Sequence, residues 1–272
     1  MRYIDINLLL TRIPAVVMNE LKTQHQKLLD GDNQAKQEVI DGGSATWRKV
    51  KNNLEEISNR KCWYTESKNP GCLNDVDHFR PKAKNKNANG VVQYWYWFLA
   101  FDPENYRLSC QFSNRLNYNP IFELTGGKGN RFPLLHGQAH AITKAEIAIE
   151  NPVLLDPCHP GDCDLLAFQP DGRPVVSPKQ SRNPDNCYRV KASSLLLNLD
   201  YPTFNEDREA LYNKIKELIT DRGDTYEPGT PALEHVKQDL QKLMEEDSPY
   251  SKAAECYIRG FRDREWIEQL FF

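Results

Sequence analysis

Val76-Asp77-His78-Phe79-Arg80-Pro81-Lys82 is the stretch on which the reading of this chain turns. A carboxylate stands beside an imidazole, with apolar Val76 and Phe79 on either side as strand anchors. Pro81 has no N–H to give to a ladder, so it ends the strand expected over residues 74–79. Further on, Asp102-Pro103-Glu104-Asn105-Tyr106 reads as a turn into a second strand or directly into a helix. Ser109 is placed to cap a helix over residues 110–117, where Asn114 and Asn117, three apart, share a face. An imidazole near neutral pKa can take a proton from water, which makes His78 a candidate general base. Asp77, with a neutral oxygen from Asn114 or Asn117, offers hard ligands to a magnesium or manganese ion. Such an ion stabilises charge on a phosphate and on its leaving oxygen. Side chains of neighbouring strand residues diverge, so a bend or bulge is expected to bring Asp77 and His78 to bear together. An Asp-His pair alone is weak evidence; the pair followed by Asn105 and the helix asparagines predicts metal-assisted phosphodiester hydrolysis.

The order and spacing of these residues, with Glu104-Asn105 and Cys110-Gln111-Phe112-Ser113-Asn114, resemble the HNH (ββα-metal) nucleases. The resemblance is strongest to the branch that works in Septu-type anti-phage systems and accompanies some retrons, and it spans about residues 45–200. It implies an α+β fold, a small ββα-metal core embedded in a mostly helical domain. It also implies that Asn105 tethers the loop carrying His78 by backbone hydrogen bonds, and that Arg80 and Lys82 contact substrate phosphates. The implied substrate is DNA or RNA, tRNA included, and the implied partner is a PtuA-like ATPase. The family commonly has two Cys-x-x-Cys pairs that hold a structural zinc through four thiolates. Here Cys62 and Cys110 remain, but Thr65 and Ser113 stand at the other two positions. Hydroxyls are poor zinc ligands, so structural zinc is expected to be absent and packing to take its place. Cys72 is a conceivable substitute ligand.

Around this module the pattern is mainly helical. A helix is expected from Pro14 to about Leu29, stopped by Asp30-Gly31-Asp32-Asn33. A second follows Gly42-Gly43 with Ser44 as its cap, burying Trp47, Val50, Leu54 and Ile57. Tyr94-Trp95-Tyr96-Trp97-Phe98 reads first as core and second as a base-stacking platform. The glycine-rich run 126–130 lacks a following Ser or Thr and is not read as a nucleotide loop. Residues 161–176 suggest a hairpin turning at Asp171-Gly172. Cys158, His159 and Cys163 have short ligand spacing, but Pro160-Gly161 favours a plain loop. Amphipathic helices then carry Leu211, Ile215, Leu218 and Ile219, and next Leu233, Val236, Leu240 and Leu243, before a last helix after Pro249. The expected units are residues 1–60 (helical support), 61–135 (nuclease module) and 136–272 (hairpin and helices).

The 272 residues are 39% hydrophobic and 27% charged, as in an ordinary globular protein, and no apolar run is long enough to span a bilayer. No signal-peptide pattern opens the chain, so a cytoplasmic location and reduced cysteines are expected. The net charge of −3 argues against a generally basic nucleic-acid coat. Residues 80–131 nevertheless carry eight basic side chains against three acidic ones. Arg80, Lys82, Arg107 and Arg115 are candidate phosphate contacts in that segment. Two rival readings are a degenerate module that binds nucleic acid or a partner without cutting, and a zinc-holding structural adaptor.

Overall fold

The computed structural model describes residues 1–68, 73–86, 89 and 91–271. Five helices precede the site: α1 (Ile6–Arg12), α2 (Ala15–Asp30), α3 (Asn33–Gly42), α4 (Ser44–Trp47) and α5 (Lys51–Ile57). The sequence predicts a stop at Asp30-Gly31-Asp32-Asn33, yet α3 starts there. The reason is Asp32, whose carboxylate accepts from the Gln34 and Ala35 N–H groups and so caps a new helix. Ser44 is the first residue of α4 rather than its cap. Leu9, Leu21, Leu28, Ile40, Trp47, Val50 and Leu54 from these helices share one core with Trp63, Phe101, Tyr106 and Leu108, so the helices and the module behind them are packed as one body across residue 60.

β1 (Asp75–His78) pairs antiparallel with a later strand in an unbroken register running from Asp75 opposite Ser109 to His78 opposite Tyr106. The excursion between them carries a small hairpin, β2 (Asn85–Lys86) and β3 (Val92–Tyr94), before the partner strand β4 (Tyr106–Ser109) begins. The aromatic run divides by residue: Tyr96, Phe98 and Leu99 enter a core with Phe79, Phe132 and Leu154, while Trp95 and Trp97 stay half-exposed. After β4 comes α6 (Gln111–Asn114), giving two antiparallel strands followed by a helix.

α6 is a single turn, not the longer helix expected over residues 110–117. In a longer helix the Ser113 and Asn114 carbonyls would take the N–H groups four residues on. Here they accept instead from Lys128 N at 2.7 Å and Gly129 N at 2.8 Å, so the 126–130 loop ends the helix. Asn117 therefore lies in β5 (Asn117–Asn119), paired with β6 (Leu124–Gly126), and does not share a helical face with Asn114. Gly127, at φ +77°, is required at this crossing, because a Cβ there would stand 1.8 Å from the Arg115 carbonyl oxygen.

The remainder holds α7 (Pro160–Cys163), the expected hairpin as β7 (Leu166–Phe168) and β8 (Pro174–Val176), then α8 (Pro184–Leu196), α9 (Pro202–Lys216), α10 (Pro231–Met244), α11 (Ser251–Arg259) and α12 (Glu265–Glu268). Ile215, Ile219, Val236, Leu240, Ala254, Ile258 and Ile267 make a third core. The fold is α+β, and among the described residues no helix is long and apolar enough to cross a membrane.

Glu66 joins the C-terminal helices to the module. Its carboxylate meets the Met1 ammonium at 2.9 Å and accepts from Ser251 Oγ at 2.9 Å, and its carbonyl accepts from Tyr250 N. Burial pushes this carboxyl up, and the Met1 and Lys61 ammonium groups outweigh that, holding it at about 2. A depressed carboxyl stabilises the fold above its unfolded value near 4.5 and loses that contribution as pH falls towards 2, a difference of about 3 kcal/mol at roughly 1.4 kcal/mol per unit. Urea unfolding of the wild type should therefore weaken more steeply between pH 4.5 and 2 than that of Glu66→Gln; equal slopes would remove this assignment.

Candidate active site

A cleft of about 510 Å³ runs along the free edge of β1. Asp75, Val76, Asp77 and His78 form its floor, and Ile40, Asp41, Ser44, Trp47 and Arg48 of the α3–α4 segment form the facing wall. Lys82, Asn114, Arg115 and Lys128 close it. Of the expected bend or bulge, no bulge interrupts β1 at Asp77-His78, and the chain bends directly after the pair, at Phe79-Arg80. Side chains of neighbouring strand residues diverge, and both Asp77 and His78 nevertheless line the cleft.

His78 is 6% exposed, edge-on to Trp47 and Tyr106 at centroid distances of 5.1 and 5.0 Å. Its Nε2 lies 2.9 Å from the Ala100 carbonyl oxygen. A carbonyl only accepts, so Nε2 carries the proton and Nδ1 keeps its lone pair. Burial, with the positive charge of Lys82, holds the imidazole well below its usual pKa, and the ring is neutral at pH 7.

Asp77 is 4% exposed and accepts from the Tyr64 hydroxyl at 2.7 Å and from Lys128 Nζ at 2.7 Å. Burial and the Asp77 charge raise the Tyr64 hydroxyl well above its usual range, so it remains a donor. Lys128, 1% exposed, also donates to the His78 carbonyl at 2.5 Å and thus grips both residues of the pair. Sequence reasoning counts Lys128 only as local charge. The signal that could have found it is its place between Gly127 and Gly129, both at positive φ, which let the chain turn the lysine inward.

Asn114 donates its amide to Asp75 Oδ2 at 3.1 Å. Asn105 lies outside the cleft wall, accepting from Arg80 N at 2.8 Å and donating to Arg80 O at 2.9 Å, so it clamps the chain just after His78. Asn117 is engaged with the Phe112 and Arg115 carbonyls and with Asn198, away from the cleft. Of the basic candidates, Lys82 lines the cleft, and Arg115 lines it while paired with Asp75. Arg80 is turned to Glu150 at 2.7 Å, and buried Arg107 is held by both oxygens of Asp156 at 2.7 and 2.8 Å. Neither faces the cleft as a phosphate contact.

The four positions that correspond to the family's zinc knuckle, where zinc is expected to be absent, do meet in space. Cys110 N donates to Cys62 Sγ at 3.3 Å, Cys110 Sγ bonds Ser113 Oγ at 3.4 Å, and Thr65 Oγ1 lies 2.8 Å from Ser67 Oγ. Burial raises the Cys62 thiol, but hydrogen bonds from Cys110 and Thr65 prevail and lower it. Cys72 lies outside the described residues. Among those described, no three His, Cys, Asp or Glu side chains converge as metal ligands, at Cys158-His159 or elsewhere.

An ion held by protein alone needs more donors than the cleft provides. Magnesium is commonly held by one or two carboxylates while keeping waters and phosphate oxygens. Asp77, whose oxygens each retain a lone pair beyond the bonds described, and Asn114 both line the cleft and offer oxygens of the kind such an ion takes.

Over 126 residues the chain is 33% identical to the Septu protein PtuB of Bacillus mycoides (strain KBAB4), and it is related to that protein. The match covers 45% of this chain and 39% of the relative's length, under half of each. No protein-family model matches the chain.

Proposed function

We propose that the cleft hydrolyses phosphodiester bonds of nucleic acid, DNA or RNA, as a metal-assisted HNH-type endonuclease. We further propose that the protein acts in Septu-type anti-phage defence beside a PtuA-like ATPase, in the cytoplasm. The observation that carries this reading is a neutral imidazole locked with Nδ1 as acceptor, beside a carboxylate, in a cleft edged by cations. Nδ1 of His78 takes the proton of the attacking water, and the Ala100 carbonyl continues to hold Nε2–H as the imidazolium forms. Asp77 and Asn114 would hold magnesium or manganese, which when bound supplies charge stabilisation at the phosphate and the leaving oxygen. Lys82 and Arg48 draw the phosphate in, while Lys128 and Asn105 fix the backbone at the base's own carbonyl and just after it.

One observation favours a second reading, binding without cleavage: Lys128 already neutralises Asp77. The two separate in one experiment. The protein, purified with a co-expressed ATPase neighbour, is incubated with DNA and tRNA pools in magnesium or in chelator. Cleavage in magnesium that chelator removes supports the nuclease; retention of nucleic acid with no cleavage in either buffer supports the second reading and removes the first.

A further inference from the structure

Three lysines near the cleft are each laid over the face of a tryptophan. Lys82 Nζ lies 4.9 Å from the Trp47 ring centroid, Lys84 Nζ 4.2 Å from Trp95, and Lys36 Nζ 4.2 Å from Trp97. All three side chains are half-exposed. None has a carboxylate within ion-pairing distance among the described residues, in contrast to Arg80, Arg107, Arg115, Lys128 and Lys144. A surface lysine is ordinarily a flexible, solvated charge. Held on an aromatic face, its ammonium is placed before any ligand arrives, which lowers the ordering cost of an ionic contact.

The three pairs form a path. Trp47 and Lys82 are part of the cleft. The Trp95 indole N–H donates to the Lys82 carbonyl at 2.8 Å, joining the second pair to the first. Lys36 stands one helical turn before Ile40, a residue of the cleft wall, so the third pair continues along α3. Unpaired cations beside the half-exposed indoles of Trp95 and Trp97 suit a single strand, whose phosphates need charge and whose bases need flat apolar contacts; buried Trp47 serves to place Lys82. We infer that the Lys82–Trp47, Lys84–Trp95 and Lys36–Trp97 pairs form a binding track that leads single-stranded nucleic acid into the cleft. This deepens the nuclease reading by naming its substrate class.

The test is binding in chelator, so that cleavage plays no part. A labelled single-stranded oligonucleotide and a duplex hairpin of equal length are titrated over a range of salt, with wild type and Lys36→Gln/Lys84→Gln. The expected result is tighter binding of the single strand, and a plot of log affinity against log salt that becomes shallower in the variant by about 1.4, at roughly 0.7 per lost phosphate contact. Lys49→Gln/Lys144→Gln, which removes lysines already paired with Glu20 and with Asp102 and Glu104, should leave the slope unchanged. Absence of binding at low salt, preference for the duplex, or equal slopes in all three proteins would overturn the track. A normal slope change in a protein that never cleaves overturns the nuclease reading alone, and cleavage with unaltered slopes overturns the track alone.

Discussion

His78→Ala should lower the proposed cleavage by about a hundred- to ten-thousand-fold, the span that one positioned general base contributes. Alanine also empties a site packed against Trp47 and Tyr106, so the decisive partner is His78→Gln. The glutamine amide can still donate to the Ala100 carbonyl, preserving the contact that Nε2 makes, but it has no basic nitrogen. Both variants should bind the substrate strand with wild-type affinity in chelator and fail to cut it in magnesium. A glutamine variant that cuts within a few-fold of wild type would remove His78 as the base. A variant that neither binds nor cuts would place the residue in the architecture of the cleft rather than in its chemistry.

The ββα order is legible in the sequence because its signals are local. Val76 and Phe79 flank the Asp-His pair, Pro81 ends the strand, and Asn105 sits where β4 begins. The helix after β4 is not, because its length is set from outside: the Ser113 and Asn114 carbonyls are taken by Lys128 N and Gly129 N, a contact no window of residues 110–117 contains. The same long-range step sends Asn117 to a strand. Arg107 reads in sequence as one more basic side chain of a positive segment. Its β4 position puts it in the interior, and only the fold brings Asp156 to two of its guanidinium nitrogens, Nε and Nη2. The excess charge of residues 80–131 is therefore visible in the sequence, but its division into committed and available cations is not. Glu150, Asp156 and Asp75 remove Arg80, Arg107 and Arg115 from the free set, while Lys36, from outside that segment, joins it.

Lys128→Met should destabilise the fold by about 3–5 kcal/mol, since removing one member of a buried ion pair leaves the other charge uncompensated. Asp77 would keep the Tyr64 hydroxyl but lose its only cation within ion-pairing distance among the described residues, at a position 4% exposed. An exposed pair would cost no more than about 1 kcal/mol, so the magnitude separates the two environments. Methionine retains much of the lysine's apolar length, which keeps lost packing out of the comparison. If Lys128→Met is too unstable to purify, Asp77→Asn/Lys128→Met carries the test, because an uncharged amide needs no ammonium and that double variant should regain most of the loss in urea unfolding. Additive single and double effects would mean that the two side chains do not act as a pair. The double variant should remain unable to cleave although it folds, because the Asp77 charge serves twice. It orders Lys128 in the fold, and it would help hold the ion in the chemistry. That overlap would explain why a buried lysine lines the cleft: its ammonium compensates and aims a carboxylate in a pocket too dry to hold that charge alone.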